Sequence, residues 1–326
     1  MTPFEIGEQF AEPDLDFDDL AAAVYEHQKA ASPTYRRFCE GHAWSDWTSV
    51  PFLPIEAFKW GGIVDPSRGP IDLTFASSGT GGLRSRHPVR DLKVYERSVT
   101  ANFAQVFGAG PFEIVAHLPT YRASDEPSSL LYMVDTLISR FGTERSRFAD
   151  DASIFDTALE AEHDPGAPLI VFGSAFGLLD LVEKSGRHAP AGATIVETGG
   201  MKTYRREITR EELHERLAAG FGVDRASVRS EYGMCELMSQ CYTRGGEVFF
   251  PPSWMRFKVV DIDNPELPAR DGRPGLLAVF DLANVHSVSA VLTSDLAVER
   301  GEGFELLGRA DAAEIRGCNF LVQSDP

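Results

Sequence analysis

The chain has 326 residues, 43% of them hydrophobic, with 31 Lys and Arg against 49 Asp and Glu, for a formal charge of −18. That is the composition of a folded globular protein with room for one large domain or two ordinary ones, and it excludes a disordered chain. The acidic excess repels polynucleotides and anionic membrane surfaces at long range, so no nucleic-acid partner is expected, although a small anion held locally is compatible with it.

The opening MTPFEIGEQFAEPDLDFDD has neither the basic nor the apolar region of a signal peptide. No apolar run approaches the roughly 20 residues of a membrane span, so no transmembrane segment is expected. The four cysteines, Cys39, Cys235, Cys241 and Cys318, lack zinc-type spacing. These features predict a cytoplasmic protein with reduced thiols.

In chain order, residues 14–41 read as a helical packing segment whose acidic DLDFDD suits an exposed first turn. Pro51 and Pro54 rule out a continuous helix through SVPFLPIEAFKW. IDLTFA then reads as a short strand that runs into the Ser/Gly stretch SSGTGG. Next come a helix ending at Gly108, the strand FEIVAHLP and a helix ending at Gly142. PLIVFGSAFGLLDLVEKSG reads as strand, tight turn and helix, ATIVETGG as a strand stopping on two glycines, and TREELHERLAAGFG as a helix opened by a Thr209/Glu212 capping box. This alternation predicts an α/β fold, mainly parallel sheets wrapped by helices. From about Pro251 the short strands RFKVVDI, GLLAVFDL and SAVLTSDLAVE predict a β-rich C-terminal lobe of antiparallel pairs. The expected organisation is a helical segment over residues 1–60, an α/β nucleotide-binding core over 61–250 and the β-rich lobe over 251–326.

Four stretches carry chemistry. Ser77, Ser78, Gly79, Thr80, Gly81 and Gly82 offer backbone N–H groups and hydroxyls that can converge on phosphate oxygens, although no Gly-Lys-Ser/Thr follows as in a Walker loop, and a plain surface turn is the alternative. In EYGMCE, Tyr232 offers a flat face for a purine, Gly233 a close backbone approach, and Glu236 a hard oxygen suited to Mg²⁺. A strand-to-loop transition with a solvated Glu is the bland reading. Asp295, at a strand end in LTSDLAVE, suits the two hydroxyls of a ribose. Arg309, after a glycine in GRADAAEIRGC, can reach ribose or phosphates. Weaker candidates are His117, as a pocket-lining or a structural histidine, and Arg86 and His87, as triphosphate contacts or solvated loop residues. The small residues of VFGSAFGLLDL could wall an acyl tunnel or let a helix pack closely on the sheet.

Taken in order, these stretches resemble the adenylate-forming superfamily of acyl-activating ligases. Within it the chain is similar to the LuxE-type acyl-protein synthetases of bacterial bioluminescence, also called long-chain-fatty-acid luciferin-component ligases. The resemblance rests on PFLPIEAFK, SSGTGGLRSRHPVRD, ETGGMKTYRREITREEL, EYGMCELMSQ and GRADAAEIRGC, spanning residues 51–318. It implies the superfamily's large-domain fold, ATP and Mg²⁺ as cofactors, and activation of a carboxylic, expectedly fatty, acid as an acyl-adenylate with transfer to a thiol. In this mapping Ser77, Ser78, Gly79, Thr80 and Gly82 hold the pyrophosphate part, Gly199 and Gly200 border the adenine, Tyr232 stacks on it, Glu236 holds Mg²⁺, Asp295 takes the ribose and Arg309 supports it. Cys318 falls where family members carry the acyl group, and a reductase or carrier partner within an oligomer is implied in turn.

The chain departs from the family pattern at Gly81, where a second Thr is expected, and at Cys235, where a Thr would touch the α-phosphate and which becomes a second candidate nucleophile. The small C-terminal domain with a catalytic lysine, found in other members, is expected to be absent. Two further readings stay open on these grounds: a ligase passing an unusual acid to an amine, carrier protein or coenzyme A, and a non-catalytic nucleotide- or acyl-binding subunit.

Overall fold

The computed structural model describes residues 2–12, 14, 16–77, 83–119, 128–160, 164, 166–185, 188–199 and 208–310. Capping side chains set the helices at its start. Helix α1 (Pro3–Gln9) opens with a capping box between Thr2 and Glu5. The stretch expected to be helical over 14–41 is two helices, α2 (Phe17–Ala31) and α3 (Pro33–Phe38). Asp16 caps α2 by accepting from the N–H groups of Asp18 and Asp19. The break falls at Ser32 because Pro33 fits only a first helical turn, and the Ser32 hydroxyl accepts from the Tyr35 N–H at 3.1 Å. Phe17, Leu20, Ala21, Val24, Tyr25 and Gln28 form the buried stripe of α2, at the three- and four-residue spacing of one helix face.

Strand β1 (Leu53–Pro54) leads into a short 3₁₀ turn at Ile55–Lys59, so the helix that the two prolines rule out is indeed missing. IDLTFA forms β2 (Leu73–Ala76), but not as a strand of the main sheet. It pairs antiparallel with β3 (Arg86–Val89) in a two-stranded ribbon, and the Ser/Gly stretch lies between the two strands of that ribbon.

From here strand and helix alternate as the sequence predicts. Helix α4 (Leu92–Phe107), stopped at Gly108 with φ of 100°, precedes β4 (Glu113–His117), α5 (Ser129–Phe141), β5 (Arg147–Phe148) and α6 (Ala152–Glu160). Then follow β6 (Leu169–Ser174), α7 (Ala175–Ser185), β7 (Thr194–Thr198), α8 (Arg210–Phe221) and β8 (Val228–Tyr232). At the start of α8 the Thr209 hydroxyl accepts from the Glu212 N–H at 3.1 Å, while the Glu212 carboxylate turns to Arg216.

The order β5-β4-β6-β7-β8 is parallel throughout. Alternation of side chains across the strands feeds two cores. Ile114, Ala116, Ile170, Phe172 and Val196 face the core under α4 and α5. Val115, Leu169, Val171 and Ile195 face the one under α7 and α8, with Leu178, Leu217 and Phe221. Gly173 and Gly177 let α7 sit tightly on the sheet: a Cβ on Gly173 would lie 2.6 Å from Leu178, which favours close packing over a tunnel wall.

After β8 the sheet continues antiparallel through β9 (Cys241–Thr243) and β10 (Val248–Phe250) to the C-terminal strands. These are β11 (Met255–Val260), β12 (Gly275–Asp281), β13 (Ala290–Arg300) and β14 (Gly303–Arg309), and β14 pairs with β10. Among the described residues, twelve strands including β1, which lies parallel to β13, thus share one sheet, and no helix is long and apolar enough to cross a membrane.

Candidate active site

The sheet is mixed rather than mainly parallel, but in its parallel part the open ends of strands and helices collect at the carboxyl edge, which is where ligands bind in such folds. β7 and β8 end there side by side, with Thr198 opposite Glu231, so Gly199, at φ of +90°, follows directly beside Tyr232. Gly233 is exposed, and a Cβ on it would lie 2.5 Å from the Glu231 carboxylate. Close approach of backbone and ligand is therefore available at this position.

Tyr232 is fixed edge-on between Phe249 and Phe304, at centroid distances of 5.9 and 5.7 Å. Its hydroxyl donates to Asp295 Oδ2 at 2.8 Å, and Arg309 Nε lies 3.3 Å from Asp295 Oδ1. Asp295 and Arg309 face each other across the β13–β14 pair, and the register shifts at the next position. Gly308, at φ of +135°, takes the backbone conformation that this bulge requires beside the site, which explains the glycine before the arginine. The side chains of Tyr232 and Arg309 hold the Asp295 carboxylate in place at the carboxyl edge of the sheet.

The second half of the site is the turn after Tyr232. Cys235 and Glu236 are both buried, and the Cys235 thiol donates to Glu236 Oε2 at 3.2 Å. Burial, with the Glu236 carboxylate beside it, pushes the Cys235 thiol well above the ordinary range, so little thiolate forms there. The β2–β3 ribbon reaches this turn. Ser77 and Ser85 close its base, the Ser77 N–H donating to the Ser85 carbonyl and the Ser85 N–H to the Ser77 hydroxyl, both at 3.1 Å, and the Ser85 carbonyl lies 4.0 Å from Cys235 Sγ. Ser77 and Ser85, at the base of that ribbon, and the Cys235–Glu236 turn are thus neighbours in space.

His87 makes the firmest link between them. Its Nδ1–H donates to the Cys235 carbonyl and its Nε2 accepts from the Ser287 hydroxyl, each at 2.8 Å. Burial pushes its pKa down to about 4, so the neutral ring is the stable form. It is therefore neither a triphosphate contact nor a solvated loop residue, whereas Arg86 is exposed on the same strand. His117, with Nδ1 donating to the Ala149 carbonyl at 2.8 Å and its ring edge-on to Phe155, has the structural role.

Beneath the turn lies a polar network with no local sequence signature. The Met238 N–H donates to Asn284 Oδ1 at 2.8 Å and Asp281 Oδ2 at 3.1 Å, and Asn284 Nδ2 donates to the carbonyls of Glu236 at 2.8 Å and Val288 at 2.9 Å. The Ser239 hydroxyl donates to Asp281 Oδ1 at 2.7 Å while accepting from Trp254 Nε1–H at 2.9 Å. Burial raises the Asp281 pKa to about 6, against the pull of these donors. A second buried carboxyl, Glu231, is raised to about 7, chiefly by burial and secondarily by Glu197, while the hydrogen bond from Thr198 works the other way. Asp281 and Asn284 meet Glu236, Met238 and Ser239 across 42 to 48 positions of chain, which leaves no local sequence pattern.

Ser78, Gly79, Thr80, Gly81, Gly82, Gly200 and Cys318 lie outside the described residues. Among the described residues no group of three or more His, Cys, Asp or Glu side chains converges to hold a metal. A single carboxylate at Glu236 nevertheless fits the way Mg²⁺ is usually held, by one or two protein oxygens together with substrate phosphates.

The architecture is that of the adenylate-forming ligases. An open form of 2-hydroxyisobutyryl-CoA ligase in complex with 2-HIB-AMP and CoA superposes with a TM-score of 0.63 over 90% of this chain and 74% of that one, at 13% identity. ATP-bound MatB from Rhodopseudomonas palustris gives 0.53 over 73% and 48%, at 14% identity, a likeness of fold alone. Within that class, the family described as "Acyl-protein synthetase, LuxE" matches residues 1–325, and the chain belongs to it. Relatives named long-chain-fatty-acid–luciferin-component ligase share 20% identity in Vibrio harveyi, over 92% of this chain and 85% of the relative, and 21% in Aliivibrio fischeri, over 92% and 86%.

Proposed function

We propose that this ligase uses ATP to convert a carboxylic acid, of the long-chain fatty type named for its Vibrio and Aliivibrio relatives, to an acyl-adenylate and then passes the acyl group to the thiol of Cys318. The observation that carries the reading is the convergence of Ser77, Gly199, Tyr232, Gly233, Glu236, Asp295 and Arg309, scattered over the chain, at one edge of the sheet. A carboxylate oxygen attacks the α-phosphorus, a new P–O bond forms and pyrophosphate leaves with its electron pair. Thiolate then attacks the acyl carbon, forming C–S as the bond to AMP breaks.

The chain's own groups divide this work. Asp295, oriented by Tyr232 and Arg309, accepts the ribose hydroxyls, and Gly199 and Gly233 let the base lie close to backbone beside the Tyr232 ring. The ribbon from Ser77 carries the proposed phosphate loop, Ser78, Gly79, Thr80, Gly81 and Gly82. Glu236 would hold Mg²⁺, which supplies positive charge against the phosphates when bound. Fixed dipoles and charges of this kind supply most of the acceleration in such sites. Cys39, Cys235 and Cys241 are buried and their thiols are raised, burial being the largest cause in each, which supports Cys318 as the acceptor among the four cysteines. Onward delivery to a reductase or carrier partner follows from the reactivity of a thioester.

Intact-protein mass after incubation with ATP, Mg²⁺ and a panel of acids tests this, with peptide mapping of the adduct. One acyl group on the Cys318 peptide is expected. Cys318→Ala should lose the adduct while retaining acid-dependent pyrophosphate exchange. An adduct that persists in Cys318→Ala, or exchange that needs no acid, refutes the assignment.

A further inference from the structure

A second cavity lies away from this site. It has a volume of about 300 Å³, and Arg229, Arg244, Asn102, Gln105, Phe250 and Pro252 line it. Arg229 precedes Tyr232 by three residues on β8, so it lies about 10 Å back along the strand and on the opposite face of the sheet. None of the described residues of the nucleotide site lines it.

Two features make the cavity unusual. Both guanidinium groups lie over aromatic rings, Arg229 over Phe107 at 5.0 Å and Arg244 over Phe250 at 4.3 Å. A guanidinium held over an aromatic face can still present its fork of N–H donors to phosphate or carboxylate. Arg229 NH1 donates to the Val106 carbonyl at 3.3 Å, but its Nε is buried with no hydrogen-bond partner. Burial, and the charge of Arg244 next to it, lower the pKa of Arg229.

The second feature is the lack of counter-charge. The chain carries 49 acidic residues. Yet among the described residues neither guanidinium has a carboxylate partner, and no acidic side chain lines the cavity. Glu247, the acidic residue nearest to Arg244 in sequence, pairs with Arg225 instead. Two like charges held together, with Arg229 half-buried, repel each other, and a buried N–H without an acceptor adds to that cost. A doubly charged anion balances both charges, which a single carboxylate cannot do.

We propose that the Arg229–Arg244 cavity is a second ligand site, taking a phosphoryl dianion, either free or carried by a small organic molecule whose apolar part lies on Phe250 and Pro252. Calorimetric titration of the intact chain with inorganic phosphate and with phenyl phosphate tests it. Arg244→Gln, at an exposed position, should weaken binding of the better probe about tenfold or more, the loss of one charge-assisted pair, with melting temperature and acid-dependent pyrophosphate exchange unchanged. Arg229→Gln should weaken it as much, and if that variant does not fold, Arg244→Gln decides alone. Tighter binding of phenyl phosphate identifies an organic phosphate as the natural class, and equal binding identifies free phosphate. Unchanged affinity in Arg244→Gln, or no binding of either probe to the parent at about 10 mM, overturns the proposal.

Discussion

Replacement of His87 by Phe isolates the tie between the β2–β3 ribbon and the Glu236 turn. Phe fills the same space against Phe58, whose ring lies edge-on at 5.3 Å, but makes neither hydrogen bond. The Ser287 hydroxyl has another acceptor in the Asn284 carbonyl at 3.2 Å, so the main loss is the buried Cys235 carbonyl left without its donor. That costs about 2 kcal/mol at neutral pH. Acid changes the comparison. Folding holds His87 at about 4 against an ordinary value of 6.5, so the unfolded chain binds the extra proton between those values. The stability associated with the neutral ring is complete above 6.5 and is lost as pH falls towards 4. Between about pH 7.5 and about pH 5 the parent should therefore lose about 2 kcal/mol through this residue, and the variant nothing. Other buried groups titrate in both proteins and cancel in the difference. Urea unfolding at the two pH values should show His87→Phe less stable by about 2 kcal/mol near pH 7.5 and nearly equal to the parent near pH 5. A gap that is the same at both values would show that the ring is not held neutral, and the derivation fails.

Asp295→Ala leaves Tyr232 and Arg309 without their common partner and should raise KM for ATP about tenfold or more, with a stability loss of about 1 kcal/mol or less; an unchanged KM removes Asp295 from the nucleotide site. Glu231 titrates in the opposite sense from His87, because its raised pKa of about 7 means that its stability contribution is full below 4.5 and lost as pH rises through 7. Glu231→Gln keeps an acceptor for the Thr198 hydroxyl and should abolish a parental loss of about 1.3 kcal/mol between about pH 6 and about pH 8, measured by chemical unfolding. Asn284→Leu strips the donor from the Glu236 and Val288 carbonyls while Met238 keeps Asp281, so a stability loss of about 2–4 kcal/mol and a fall in the pyrophosphate-exchange rate are expected; stability within about 0.5 kcal/mol of the parent contradicts the network.

Where one stretch of chain contains the whole cause, the reading from residues held. The alternation of β4, α5, β6, α7, β7 and α8 follows from hydrophobic period, Gly stops and caps that act within a few residues. The short strands β1, β9 and β10 escaped because two or three residues carry no period, and only their partners make them strands. β2 was visible as a strand, but its place outside the main sheet was not, since a strand's own side chains do not name its neighbour. The same limit applies to His87, expected as a triphosphate contact or a solvated loop residue when its hydrogen-bond partner is 148 positions away.

The amino-acid order alone determined the class of fold and the family, because those depend on local pattern and on short motifs in a fixed sequence. Tertiary structure alone decided that Asp295 faces Arg309 across a bulged strand pair and that Tyr232 reaches the same carboxylate. It also decided that Cys235 is buried and that Arg229 and Arg244 line one cavity with no carboxylate partner among the described residues. Register and burial are properties of strands brought together from distant parts of the chain, and they set which side chains meet, how far each is removed from water, and so which of them can react or bind.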